Sequence, residues 1–149
     1  MMFNIFCLAI ALRCFRADGS YWFVIWPGTA AHECWHWLVG LCTGATPTHF
    51  TIIPKDEGED KVLGSVSFQN LTWFNSLPIA IAPLLSIPAV YWLSHNIQFG
   101  WNWTSALIVW AMASALSQSW PSPADWSIAF DEKMGLLFWI ACAVSLFFI

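Results

Sequence analysis

Pro27-Gly28-Thr29-Ala30-Ala31-His32-Glu33-Cys34-Trp35-His36-Trp37-Leu38-Val39-Gly40 sets two imidazoles and a carboxylate in the middle of a run that is otherwise almost wholly apolar. A helix turns about 100° per residue, so His32 and His36 fall one turn apart on the same face and both rings can reach a single metal ion. Glu33 is rotated about 100° from His32, near enough to touch a water beside that ion without ligating it. Pro27 reads as the first turn of this helix, which should run to about Thr43 with Gly40 and Gly44 marking its end.

His-Glu-x-x-His is the spacing of zinc hydrolases. The plain alternative is three polar residues that happen to face a helix interface. That alternative must carry an ionised glutamate in mid-span, at a cost of about 2.5 to 3.5 kcal/mol on insertion scales. Composition places the stretch in lipid. The chain is 58% hydrophobic and 9% charged, against about 25% charged in soluble domains. Its 12 tryptophans suit indoles at the lipid–water boundary. The formal net charge of −4 is scattered and gives no footprint for nucleic acid. The five cysteines (7, 14, 34, 42 and 142) form no Cys-x-x-Cys pair and read as small buried hydrophobes.

The expected architecture is therefore an all-α polytopic membrane protein, one bundle of about four to five transmembrane helices over residues 1–149. Residues 2–12 form a short or tilted first span ending near Phe15, with Arg13, Arg16 and Asp18 after it. This order is the reverse of a signal peptide, whose basic residues precede the apolar run. The motif helix follows. Residues 46–70 read as a membrane-associated β-hairpin: Thr48 to Ile53 and Val62 to Phe68 alternate, around the charged turn Lys55 to Lys61. Trp73 to Leu93 is a span bent by Pro78, Pro83 and Pro88, beside a wet cavity that satisfies the freed backbone. Trp101 to about Ser119 is the next span, becoming polar through Ser114, Ser117, Gln118 and Ser119. A proline break, Trp120 to Trp126, precedes Asp131, Glu132, Lys133 and a last span from Met134 to Ile149.

A catalytic zinc takes three protein ligands and a water, so the two histidines need a partner. Between Lys61 and Asp131 the chain offers His95 and Asp125. His95 lies in a polar turn, His49 lies in the first hairpin strand, and Asp131 and Glu132 flank a span where charges ordinarily sit. Asp125 follows the proline break, where non-helical backbone is tolerated only beside protein or a cavity. It is the candidate third ligand, and its alternative role is N-cap of a short helix beginning at Trp126.

In this order of features the chain resembles the site-2 protease family of intramembrane zinc metalloproteases, from Pro27 to Trp126. The resemblance rests on His32-Glu33-Cys34-Trp35-His36, the hairpin Thr48 to Phe68, Ala82-Pro83-Leu84-Leu85-Ser86, and Pro123-Ala124-Asp125-Trp126. The chain departs from the family pattern at Trp35, where the family has glycine. It departs again at Ala82 and Ser86 in place of Gly-Pro-x-x-Asn, and at Trp126 in place of the glycine after the aspartate. These 149 residues also hold no substrate-sensing PDZ domain.

The resemblance implies hydrolysis of a peptide bond in or near the transmembrane segment of a membrane-protein substrate. Zn²⁺ would be held by His32, His36 and Asp125, and Glu33 would act as general base. The resemblance also implies a multi-pass protein of a cytoplasmic (inner) membrane. Gln118, Ser119 and Ser122, near Asp125 in sequence, are the candidates for an oxyanion partner, and no feature of the sequence singles one out. The edge of the hairpin offers a place for an unwound substrate strand to pair. The alternative is a non-proteolytic metal-binding membrane protein, an assembly, regulatory or immunity factor. Glu33 separates the two, because a structural site has no use for a base and normally fills all four positions. A soluble-facing zinc enzyme on a membrane anchor fails, since the motif itself lies in apolar sequence.

Overall fold

Helix α1 (Met2–Phe15) buries Ile5, Ala9 and Leu12, a spacing that puts all three on one face, and turns Phe3, Phe6 and Ile10 outward. The computed structural model describes residues 2–15, 22–53, 55–57, 60–131 and 133–146. The chain continues through α2 (Trp22–Cys42), strands β1 (Thr46–Thr51), β2 (Lys55–Glu57), β3 (Asp60–Val62) and β4 (Ser65–Gln69), then α3 (Ser76–Ile81), a 3₁₀ turn (Ala82–Leu85), α4 (Ser86–Asn96), α5 (Trp103–Ser117), α6 (Pro123–Asp131) and α7 (Lys133–Leu146). It is mostly helical, with a small antiparallel sheet. Arg16, Asp18 and Glu132, and the side chains of the charged hairpin turn, lie outside the described set.

Helices α1 and α2 both pack on α5, and Ile5, Ala9, Leu12, Ile25, Val90, Met112 and Ala113 form the apolar core where they and α4 meet. The buried stripe of α2 is Ile25, Gly28, Thr29, Glu33, His36 and Gly40. Its repeat of three and four residues is that of one helix face. The stripe starts apolar and turns polar after one turn.

Pro27 does not open α2, as its sequence context suggests. The helix starts five residues earlier, at Trp22. A proline inside a helix removes a backbone donor, and here α5 serves the disturbed turn. Trp110 Nε1 donates to the Val24 carbonyl at 2.9 Å. The Ser114 hydroxyl accepts from Gly28 N–H at 2.8 Å and donates to the Ile25 carbonyl at 3.0 Å. A Cβ on Gly28 would overlap the Ser114 carbonyl oxygen, so only glycine lets the two backbones come this close.

The end of α2 follows expectation. Gly44 takes φ +82°, and Ala45 N–H closes back on the Gly40 carbonyl at 2.9 Å, the glycine termination of a helix. Gly40 itself marks no end. It is buried within α2, and its missing side chain makes room for the Phe68 ring of the hairpin.

The hairpin exists, divided into two ladders. β1 pairs antiparallel with β4, Thr46 opposite Gln69 and Thr51 opposite Ser65, with an irregularity between Pro47 and His49. β2 pairs with β3, Lys55 opposite Val62. Leu63 and Gly64 interrupt the returning strand. Beyond β4, Asn70 (φ 62°) turns the chain. Asn75 then fixes the turn by accepting from Thr72 N–H at 2.7 Å and donating to the Asn70 carbonyl at 3.1 Å. This hydrogen-bonded corner sets where α3 begins.

The three-proline segment forms one helical run, Ser76–Asn96, 21 residues with Pro83 in the 3₁₀ turn. At 1.5 Å per residue it measures about 31 Å, the thickness of a hydrocarbon core. Of the about four to five spans expected, this is the one among the described residues that is long and apolar enough to cross a membrane. Met2–Cys14, Trp103–Ser117 and Lys133–Leu146 are apolar and shorter. The last of these docks on the start of α3: Trp139 Nε1 donates to the Phe74 carbonyl at 2.8 Å, and Gly135 lies against the Trp73 backbone.

The cysteines are not buried as their apolar context suggests. Cys7, Cys14, Cys34 and Cys42 are exposed, Cys142 is half-buried, and all are free thiols. They sit on outward faces of a bundle whose outer surface is itself apolar.

Candidate metal centre

Three elements bring the site together. α2 supplies His32, Glu33 and His36, the start of the Ser76–Asn96 run supplies a carbonyl, and the α5–α6 corner supplies the Gln118 carbonyl at the end of α5 and Asp125 in the first turn of α6. His32 Nδ1 lies 2.7 Å from the Gln118 carbonyl, and His36 Nδ1 lies 2.7 Å from the Ile79 carbonyl. A carbonyl can only accept, so each Nδ1 carries a proton and each Nε2 faces inward, where a neutral ring offers its lone pair. Anchoring of the far nitrogen is how metal-binding histidines are held in tautomer and orientation.

The two Nε2 atoms are 3.1 Å apart. Asp125 presents one oxygen to each ring, Oδ2 at 3.3 Å from His32 Nε2 and Oδ1 at 3.1 Å from His36 Nε2. Ligands at zinc's usual 2.0–2.1 Å in a tetrahedron are spaced about 3.3 Å from one another. Lone pairs and a carboxylate converging at this spacing repel unless a cation, a proton or a metal ion, sits among them. The donor set, two imidazoles and one carboxylate, suits a borderline divalent metal such as zinc. Among the described residues His32, His36 and Asp125 are the one group of such side chains able to hold a metal.

Asp125 also keeps a structural role, with different partners from those its sequence suggests. α6 starts at Pro123 rather than Trp126, because proline fits the first helical position. Ser122 is the capping residue: Asp125 N–H lies 3.2 Å from Ser122 Oγ, and Ser122 N–H donates to Asp125 Oδ2 at 2.6 Å. This reciprocal pair is a capping box. It holds the carboxylate in one rotamer with its other lone pairs free toward the histidines. The geometry that caps α6 is the same one that turns the carboxylate toward the two histidines.

Glu33 is 7% exposed, on the buried stripe beside His32. It accepts no hydrogen bond among the described residues, and its electrostatic neighbours are His32 and Asp125. No lysine or arginine pairs with either carboxylate in that set. Two buried carboxylates without a paired cation are costly, and a divalent ion would cancel the pair. Gly64, in the gap between β3 and β4, closes over Glu33: a Cβ there would lie 2.8 Å from Glu33 Cγ and 3.0 Å from Oε1.

The remaining candidates separate cleanly. His49 and His95 are exposed and take no part; His95 Nδ1 bonds within α4 to the Tyr91 carbonyl at 2.8 Å. Asp131 is exposed at the end of α6, and Cys34 points outward. Ser119 Oγ bonds the Leu116 carbonyl and Ser122 is spent on the cap. Sequence reasoning missed the carbonyls of Gln118 and Ile79, which carry no side-chain signature, and Gly64.

No family model, no curated protein and no solved structure matches this chain.

Proposed function

We propose that the chain is an intramembrane zinc metalloprotease of the site-2 protease kind, hydrolysing a peptide bond in or near the membrane span of another protein. The observation that carries this reading is the convergence of His32 Nε2, His36 Nε2 and the Asp125 carboxylate, with each histidine's far nitrogen fixed by a carbonyl and Glu33 beside them.

The site supports the chemistry as follows. Zinc bound by the three residues would polarise a carbonyl and lower the pKa of a water to about 7. Glu33, buried and with no hydrogen bond among the described residues, would take the proton of the attacking water and pass it to the leaving amine. An ion held by these three residues alone would keep a coordination position open, which suits catalysis better than storage. The Ser122 backbone N–H, donating to Asp125 Oδ2, fixes the carboxylate that would hold the ion.

The membrane reading is supported by an inverted distribution of side chains. Phe3, Phe23, Trp92, Leu107, Phe130 and Leu137 are exposed, on six different helices. The interior meanwhile holds Glu33, His36, Ser114, Ser117, Gln118 and Asp125. A surface so apolar is unfavourable in water and fits lipid. On this reading α1, α2, the Ser76–Asn96 run, α5 and α7 are the membrane helices. The shorter ones are met by local thinning of the bilayer, and the charged hairpin turn reaches water.

The test is co-expression with a panel of tagged single-span membrane proteins. Wild type should cleave at least one. Glu33→Gln should cut its rate by about 10²- to 10⁴-fold while purifying with the same zinc content. A Glu33→Gln protein that cleaves at the wild-type rate would overturn the assignment.

A further inference from the structure

Among the described residues two buried side-chain polar atoms have no hydrogen-bond partner, and one of them, Gln118 Nε2, belongs to the residue whose own carbonyl holds His32. An orphaned buried donor is costly, and such a group calls for a partner that arrives from elsewhere. Three observations converge on what that partner is.

First, the residue is tied to the site through its main chain, so its side chain departs from a point already beside a metal ligand. Second, the sequence clears space for it. Gly28 lies one turn before His32 on the same face of α2, and a Cβ there would come within 2.8 Å of Gln118 Cγ. The Ser114 carbonyl lies nearer still to that Cβ, and the same glycine leaves room for the carboxamide stem on the row that continues to His32 and His36. Third, Gln118 is 5% exposed and follows the last turn of α5 at the break leading to Asp125. It is therefore buried at the end of α5, its stem against α2, the helix that bears both histidines.

We propose that the Gln118 carboxamide is a substrate-binding group, its Nε2 donating to a backbone carbonyl of the peptide bound at the metal centre. The inference rests on the protease reading and deepens it. A peptide unwound into the site presents carbonyl acceptors that have lost their helical donors, the chemistry an unpartnered N–H₂ lacks. The division of labour within the residue is also testable. The main-chain carbonyl positions His32 whatever the side chain is, so the donor can be removed without touching the metal.

The experiment compares two zinc-directed probes on the purified, zinc-loaded full chain in detergent: acetohydroxamate, which has no peptide beyond its metal-binding group, and a peptidyl hydroxamate with several amide carbonyls. Gln118→Met, of similar length and without a donor, should bind acetohydroxamate as wild type does and the peptidyl hydroxamate about tenfold more weakly, the loss of one hydrogen bond. Its zinc content should be unchanged. Gln118→Leu, also without a donor and uncharged, should behave likewise and serves if the methionine variant folds poorly. Variants that bind both probes as wild type does, or that lose zinc, overturn the Gln118 assignment alone. A zinc-loaded wild type that binds neither probe overturns the hydrolase reading itself.

Discussion

The interior of the bundle is built in two ways. Where α1, α4 and the first turns of α2 meet α5, it is filled by Ile5, Ala9, Leu12, Ile25, Val90, Met112 and Ala113. Further along α2 and α5 it is filled by Thr29, Glu33, His36, Ser114, Ser117 and, just past the end of α5, Gln118. The change falls between adjacent residues on α5, Ala113 and Ser114. The first region is held by close packing, which is non-directional and needs only shape. The second is held by hydrogen bonds that name their partners, Ser114 to Gly28 and Ile25, His32 to Gln118, His36 to Ile79. The comparison teaches that one region fixes the helices and the other fixes individual atoms. A metal centre needs the second kind of order and relies on the first to hold it.

Substitutions in the two regions should therefore fail differently. Ile5→Ala, at a site with no exposure, leaves a cavity and should cost about 2–5 kcal/mol; chemical denaturation in detergent reads this, and zinc content in the folded fraction should not change. Gly28→Ala meets a backbone carbonyl of α5 and should cost about 1–3 kcal/mol, this time with weaker zinc binding in a competition assay against a chelator, because His32 is pushed from Gln118. Ser114→Ala strips a partner from Gly28 N–H and should cost about 1–2 kcal/mol, with a smaller loss of zinc affinity. The smallest effect should come from His49→Ala and His95→Ala, both exposed and expected within about 0.5 kcal/mol of wild type, with full zinc. Zinc loss in either exposed variant would break the comparison, as would an Ile5→Ala protein that unfolds no more easily but loses metal.

The legible parts of this chain are those governed by local rules. The pairing of His32 with His36 follows from helical period alone, the hairpin from alternation around a charged turn, and the place of Asp125 from a carboxylate beside a proline break. What escaped depended on partners distant in sequence. Pro27 sits inside α2 because Trp110 and Ser114 satisfy the backbone around it, a rescue from 86 residues away or more. Gly40 reads as a helix end and proves to be a seat for Phe68. The cysteines read as buried because apolar sequence surrounds them, a rule that inverts where the outside of the bundle is apolar too. Gln118 carried a signal, a lone amide at the polar end of an apolar helix, but its main-chain bond to His32 could be found only in three dimensions.

The central claim is that a late aspartate completes a metal site begun by two histidines 93 and 89 residues before it. Metal analysis of the purified full chain beside Asp125→Ala tests it most directly. The account predicts about one zinc per wild-type chain and almost none in Asp125→Ala, with helical content unchanged. A folded wild type that neither carries nor takes up zinc, or an Asp125→Ala protein that retains it in full, would contradict it.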